Sequence, residues 1–205
     1  QVGSALGPDG TLHLFYRDGA NLKHAALAPG GAWSVESAAA GTGNVGEFSA
    51  SVADSSGDLH VVYVDGASSQ EVRYAKKSSA GWGAPELVFT GAGATWNVGV
   101  DVDARGIVHA AWNNAGASSH IRYSSRTPVA GWSVPTGLDD SVSGGAVSLR
   151  LGADGAPAVA YVNGASRLRV AVWNGTGFAG TFPDETAAPD ARFAFARGPD
   201  AAGAF

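Results

Sequence analysis

The chain has 205 residues, a net charge of −5, only 15% charged side chains, and neither cysteine nor methionine. That excludes disulfides and thiolate chemistry, and Lys76–Lys77, its one adjacent basic pair, is too little for binding a phosphate backbone, so nucleic acid is not an expected partner. No apolar run is long enough to cross a bilayer, so no membrane insertion is expected. Gln1 stands where an initiator would, which points to a processed or partial product.

Taken in chain order, the elements repeat. "GPDGTLHLFYRDG" from Gly7 returns as "SSGDLHVVYVDG" from Ser55, "DARGIVHAAWNNAG" from Asp103 and "GADGAPAVAYVNG" from Gly152. The turn glycines Gly10, Gly57, Gly106 and Gly155 are 47, 49 and 49 residues apart, and Tyr16, Tyr63, Trp112 and Tyr161 keep the same spacings. Downstream, "LKHA" at Leu22 matches "VRYA" at Val72, "IRYS" at Ile121 and "LRVA" at Leu168. An aromatic residue then follows in each unit, at Trp33, Trp82, Trp132 and Phe178.

Each unit parses into four strands. An apolar first strand ("SASVA" from Ser49, "VGVDV" from Val98, "VSLRL" from Val147) leads through a glycine turn into "DLHVVYV". A polar loop leads into "VRYAK", and a second glycine turn into a strand beginning at Trp82. Alternating apolar, β-branched and aromatic residues punctuated by glycine form a strand grammar without helical period. Four strands in a repeat of about 40–50 residues predict an all-β fold, a β-propeller of four-stranded antiparallel blades. The blades run 1–47, 48–96, 97–144 and 145–189, and 190–205 begins a fifth, with a first strand near Phe193–Ala196 and the turn at Asp200–Gly203. Four blades and a start predict part of a larger propeller, of roughly six to eight blades, completed by further chain or by another chain.

The recurring polar residues read as architecture. His13, His60 and His109 share one position, which Ala158 fills in the fourth unit. Residues three apart on a strand face opposite ways, so His60 and Tyr63 cannot form a dyad; the expected partner of each histidine is a backbone group of a neighbouring strand. Lys23, Arg73, Arg122 and Arg169 recur on the third strand, away from the axis, and are expected to pair with carboxylates such as Glu36 or Glu86 or to stand exposed. Asp54, Asp103 and Asp200 read as turn caps, being far thinner than a calcium cage. Trp33, Trp82 and Trp132 read as outer-strand packing. No phosphate loop, Gly-x-Ser-x-Gly or His-Glu-x-x-His occurs, and no catalytic residue, metal or cofactor is assigned.

Candidate binding residues are those outside the repeat, on the loops that join second to third strands and one unit to the next. They are Arg17, Asp18, Glu47, Asp65, Trp96, Asn97, Asn113, Asn114 and Asn163. Trp96 stands out because its counterparts by register are Glu47 and Gly145, so the blade does not require it. With Asn97 beside it, it has the chemistry to stack on a sugar ring or anchor a protein partner, and equally to cover the blade below.

"DSSGDLHVVYVDG", "VRYA" and "GWGAPE" together resemble a family of bacterial extracellular propeller repeats related to the BNR/sialidase-like group. The likeness covers essentially the whole chain. The sialidase Asp-box, Ser-x-Asp-x-Gly-x-Thr-Trp, is absent, and the aspartate turn here stands between first and second strands rather than third and fourth. The resemblance therefore implies a non-catalytic recognition module, secreted or at the cell surface, with a glycan or an extracellular protein as partner. The alternatives it leaves are a sialidase-like or polysaccharide-lyase-like enzyme and a structural subunit of an extracellular assembly.

Overall fold

Gly10, Gly57, Gly106 and Gly155 all have φ between 75° and 83°, a left-handed conformation that glycine adopts without steric cost. Each closes a turn by donating its N–H to the residue three before it, as Gly57 does to the Asp54 carbonyl at 3.0 Å. These turns set the hairpin register, and hence which side chains face inward. The computed structural model describes residues 2–41, 45–66, 71–91, 93–115, 119–140 and 145–181. The expected fifth unit, 190–205, lies outside the described residues.

Four antiparallel sheets follow one another, with no helix among the described residues. The first comprises β1 (Gly3–Leu6), β2 (Leu12–Asp18), β3 (Asn21–Leu27) and β4 (Trp33–Ala40). The second comprises β5 (Val45–Ala53), β6 (Leu59–Asp65), β7 (Glu71–Ser78), β8 (Gly81–Trp82) and β9 (Glu86–Thr90). The third comprises β10 (Ala94–Val102), β11 (Val108–Ala115), β12 (Ser119–Thr127), β13 (Gly131–Trp132) and β14 (Thr136–Asp139). The fourth comprises β15 (Val147–Leu151), β16 (Pro157–Val162), β17 (Leu168–Trp173) and β18 (Phe178–Thr181). In the second and third sheets the expected fourth strand is split: β8 and β9 both pair with β7, and β13 and β14 both pair with β12. Pro85 and Pro135 stand in the gaps, where a missing backbone donor interrupts the ladder.

The core lies between sheets. Phe15 and Leu22 pack against Leu59, Val61 and Tyr63 of the second sheet. Val62, Val72 and Tyr74 meet Val98, Val108 and Trp112 of the third, and Ala111 and Ile121 meet Leu149, Val159 and Tyr161 of the fourth. The first strands β1, β5, β10 and β15 lie side by side in succession. Their backbones approach so closely that a Cβ on Gly99 would stand 2.8 Å from the Leu149 nitrogen.

The aromatic residue of each fourth strand reaches back onto the preceding sheet. Trp82 sits edge-on to Phe15 and His24, with centroids 5.9 and 5.7 Å away. Trp132 does the same to Tyr74 at 5.5 Å, and Phe178 to Tyr123 at 4.9 Å. Trp33, the same residue in the first sheet, is 50% exposed, and Val35 beside it is 58% exposed. The expected outer-strand packing thus holds for Trp82 and Trp132 but not for Trp33. Accordingly, Trp33→Ser is expected to change stability by less than about 0.5 kcal/mol, while Trp82→Ser costs about 2–3 kcal/mol. Thermal melts of the two variants check this; equal losses would contradict the packing difference.

Candidate functional site

Five of the nine candidate loop residues stand at the ends of β2 and β6, on β5 and just after β16. Arg17 and Asp18 end β2 and are exposed, with Arg17 Nε donating to the Gly19 carbonyl at 2.9 Å. Glu47 is exposed on β5, and Asp65, at the end of β6, lies 3.5 Å from Arg73 Nε. Asn163 is spent on its own turn, its Oδ1 accepting from the Ala165 and Arg167 N–H groups.

The other four converge. Trp96 pairs in register with Asn113, and a bulge between Trp96 and Val98 puts Asn97 at φ 57°. Asparagine tolerates this left-handed conformation better than most residues. The Asn97 and Asn113 Nδ2 groups both donate to the Gly145 carbonyl at 3.3 Å, tying down the start of the fourth unit. Asn113 is fully buried, and Asn114 is 4% exposed with Nδ2 donating to the Gly93 carbonyl and Thr95 Oγ1. Trp96 itself is 40% exposed above this anchored floor.

The histidines depart from expectation. Their partners are side chains, not backbone groups. His60 Nδ1 lies 2.7 Å from the Tyr74 hydroxyl and Nε2 lies 3.2 Å from Asp54 Oδ2, an Asp–His–Tyr chain across β6 and β7. His109 Nδ1 lies 2.6 Å from the Tyr123 hydroxyl, and in the first sheet His13 Nδ1 meets His24 Nε2 at 2.9 Å. In the fourth sheet Ala158 and Val170 replace both members. The reason is geometric: His60 faces Lys76 in register, and Tyr74, two residues on, shares its face of the sheet. Burial pushes all four histidines below the usual 6.5, for His24 and His60 against the opposing pull of Glu36 and Asp54. They stand as neutral rings.

The aspartate caps are as expected: Asp54 Oδ1 accepts from the Ser56 and Asp58 N–H groups, and Asp103 Oδ1 from those of Arg105 and Ile107. Asp200 lies outside the described residues. Only part of the expected pairing of the basic residues holds. Arg73 bonds Glu71 and Arg169 bonds Asp139, while Lys23 donates to Ser37 and Arg122 lies 5.1 Å over the Phe89 ring. Glu36 instead binds Lys77 and Trp82, and Glu86 binds Arg126, each bond joining two neighbouring sheets. Lys23 and Arg73 are held on their own sheets, Arg169 by a carboxylate of the preceding sheet and Arg122 over a ring of the preceding sheet, so the four recurrent cations do not converge. Among the described residues no group of three or more His, Asp or Glu is placed to hold a metal ion.

Two clefts open at equivalent junctions between sheets, which the sequence did not disclose. One, about 390 Å³, has His13, Asp58 and Lys77 in its lining. The other, about 550 Å³, lies between the third and fourth sheets, lined by Arg105, His109, Tyr123, Asp154, Trp173 and Asn174 among others. One signal for the second was legible: three positions beyond Tyr74 and Tyr123 stand Lys77 and Arg126, but three beyond Val170 stands Trp173.

No family model matches the sequence, and no curated protein does. Solved structures do. The Aleuria aurantia lectin in complex with Fucα1-6GlcNAc is 12% identical, with TM-score 0.71 over 92% of this chain and 64% of that one. The SapL1 lectin in complex with alpha methyl fucoside is 16% identical, TM-score 0.65, over 88% and 61%. A polysaccharide lyase of the ulvan-lyase type is 13% identical, TM-score 0.60, over 86% and 56%. These neighbours are β-propeller lectins and carbohydrate-active proteins. The chain is all-β, with four successive antiparallel sheets and propeller-like neighbours. It spans between 56% and 64% of the length of these three structures, and at such identities the likeness is one of fold.

Proposed function

We propose that the protein is a non-catalytic recognition module, secreted or at the cell surface, that binds glycans through the end of the propeller where Trp96 stands. One observation carries the reading. Trp96 is a large aromatic side chain, 40% exposed, on a bulge whose neighbours Asn97 and Asn113 are bonded to the Gly145 carbonyl. An aromatic face held on a rigid support loses little freedom on covering the C–H face of a sugar ring. The carbohydrate-binding and carbohydrate-active neighbours support this class of ligand. The exposed Trp33 face supports a ring with further blades, since each equivalent residue packs on a preceding sheet.

The test is a glycan array with the wild-type protein and Trp96→Ala. Binding to at least one glycan, weakened about tenfold or more by the substitution, is expected, equivalent to roughly 1.4 kcal/mol. A wild-type protein that binds no glycan but degrades a polysaccharide would sink the reading.

A further inference from the structure

The first sheet carries the histidine design of the second with its hydrogen bonds running the other way. Gly7 begins its turn where Asp54 and Asp103 begin theirs, each donating its N–H to the carbonyl four residues on. In the second sheet that position supplies a carboxylate, and Asp54 Oδ2 lies 3.2 Å from His60 Nε2. Gly7 has no side chain to supply. His13 Nδ1 is bonded to His24, and His13 Nε2 makes no hydrogen bond. Unlike Nε2 of His109, this atom is not buried, and its half-buried ring borders the cleft between the first and second sheets.

Geometry sets where the ring protons stand. The Glu36 carboxylate can only accept, so His24 Nδ1, at 2.8 Å from Oε1, is the donor. Lys77 binds the same oxygen and balances its charge without a second proton on His24. The neutral His24 ring then accepts at Nε2, and the proton between the two rings belongs to His13 Nδ1. His13 is left with a bare lone pair on Nε2. A carboxylate behind a ring nitrogen is the support that metal-binding histidines have: it fixes the tautomer and orientation and raises the basicity.

Two further acceptors border the same space. A Cβ placed on Gly7 would stand 3.3 Å from His13 Nε2, 2.6 Å from Asp9 Oδ1 and 3.5 Å from the Thr11 carbonyl oxygen. Asp9 is held there by Thr11, whose N–H donates to Oδ1 at 2.9 Å and whose hydroxyl donates to Oδ2 at 2.8 Å. Lys77, the ammonium in the cleft lining, is spent on Glu36. The fourth sheet supplies the contrast. Gly152 has the same turn, with Asp154 Oδ1 at 2.8 Å from such a Cβ, but Ala158 replaces the histidine and the nitrogen is missing.

We propose that His13 Nε2 and Asp9 form a binding site for a first-row divalent cation of the zinc type, with water completing its shell. An imidazole nitrogen beside a carboxylate oxygen suits zinc, nickel or copper ions, whereas calcium and magnesium take oxygen ligands. The site belongs to the first sheet and is independent of the glycan reading at Trp96.

The experiment is a titration of the full chain with zinc chloride, followed by nitrogen NMR of the histidine rings and by calorimetry. Without metal, His13 Nε2 is expected to read as unprotonated and His60 Nε2 as protonated, as the two opposite bond directions require. Zinc is expected to shift His13 Nε2 saturably, and calcium to leave it unmoved. Asp9→Asn removes a ligand charge, and Gly7→Ala fills the space with a methyl group while both ligands stay. Each is expected to weaken zinc binding tenfold or more, with melts by circular dichroism showing the fold retained. His120, 2.8 Å from the exposed Asp140, is the internal control. Zinc that shifts His120 and leaves His13 unmoved marks ordinary surface binding and overturns the proposal. A protonated His13 Nε2 in the metal-free chain, or zinc affinity unchanged in both variants, overturns it as well.

Discussion

Replacing Trp112 by alanine is expected to destabilise the protein by about 3–5 kcal/mol, the largest effect of any single core truncation in the described chain. Trp112 is fully buried and is the largest side chain in the core. It lies 5.4 Å from the Phe89 ring and fills the junction of the second and third sheets with Val98, Val108 and Tyr74. β-Strands locked into ladders on both sides cannot close over such a void, so the cavity remains. Trp112→Tyr provides the contrast. Tyr63 and Tyr161 fill the equivalent positions, and the indole Nε1 of Trp112 has no hydrogen-bond partner. The tyrosine variant therefore loses volume but also removes a buried unsatisfied donor, and its cost is expected below about 2 kcal/mol. Urea unfolding of both variants gives the comparison; equal midpoints would show that the site tolerates collapse.

Acidification from about pH 7 to about pH 5 is expected to lower the melting temperature by at least about 4 °C, at roughly 2–4 °C per kcal/mol for a chain of this size. The sign follows from burial. His13, His24, His60 and His109 are all held below the 6.5 of an unperturbed imidazole, so the unfolded chain takes up protons that the folded chain refuses. Stability from these four rings is complete above 6.5 and falls as the pH drops below it. In the neutral ring of His60, Nε2 donates to Asp54 and Nδ1 accepts from the Tyr74 hydroxyl; a second ring proton, on Nδ1, would force that hydroxyl to accept instead. A second loss follows at lower pH. Burial raises Glu36, but bonds from Lys77, His24 and Trp82 outweigh it and bring the carboxyl down to about 2. Its contribution is present above the unfolded value of 4.5 and disappears as the pH falls towards 2. Melts recorded across this range by circular dichroism decide it, and a profile flat between pH 7 and pH 5, roughly, would contradict the burial of the histidines.

The architecture was legible because it is written four times. Gly10, Gly57, Gly106 and Gly155 mark the turns, and the strands "SASVA", "VGVDV" and "VSLRL" lie inside β5, β10 and β15. The side-chain partners were less legible, because a hydrogen bond across a sheet joins residues that no local period connects. His60 and Tyr74 are separated by a whole loop, and only the register of β6 on β7 brings them to one face. A trace of the bond is nevertheless in the sequence: His109 and Tyr123 occur together, and Ala158 and Val170 replace both at once. At the loop face, Trp96 was recognised by breaking the repeat, whereas Asn113 and Asn114 do so for a different reason, serving as buried braces. That His109 Nε2 lacks a partner follows from Arg105 taking Asp103 Oδ2, a contest between neighbouring groups that spacing alone does not rank.

The backward reach of the fourth-strand aromatics bears on how the protein is made. Phe15 and His24 belong to the first sheet, but the ring that covers them is Trp82, at the far end of the second. Tyr74 likewise waits for Trp132, and Tyr123 for Phe178. On the ribosome, where chains emerge from the N-terminus, each sheet is finished only after its successor has been translated. A nascent chain halted before residue 82 therefore presents an uncovered apolar face, and maturation of the first three sheets advances one unit behind synthesis.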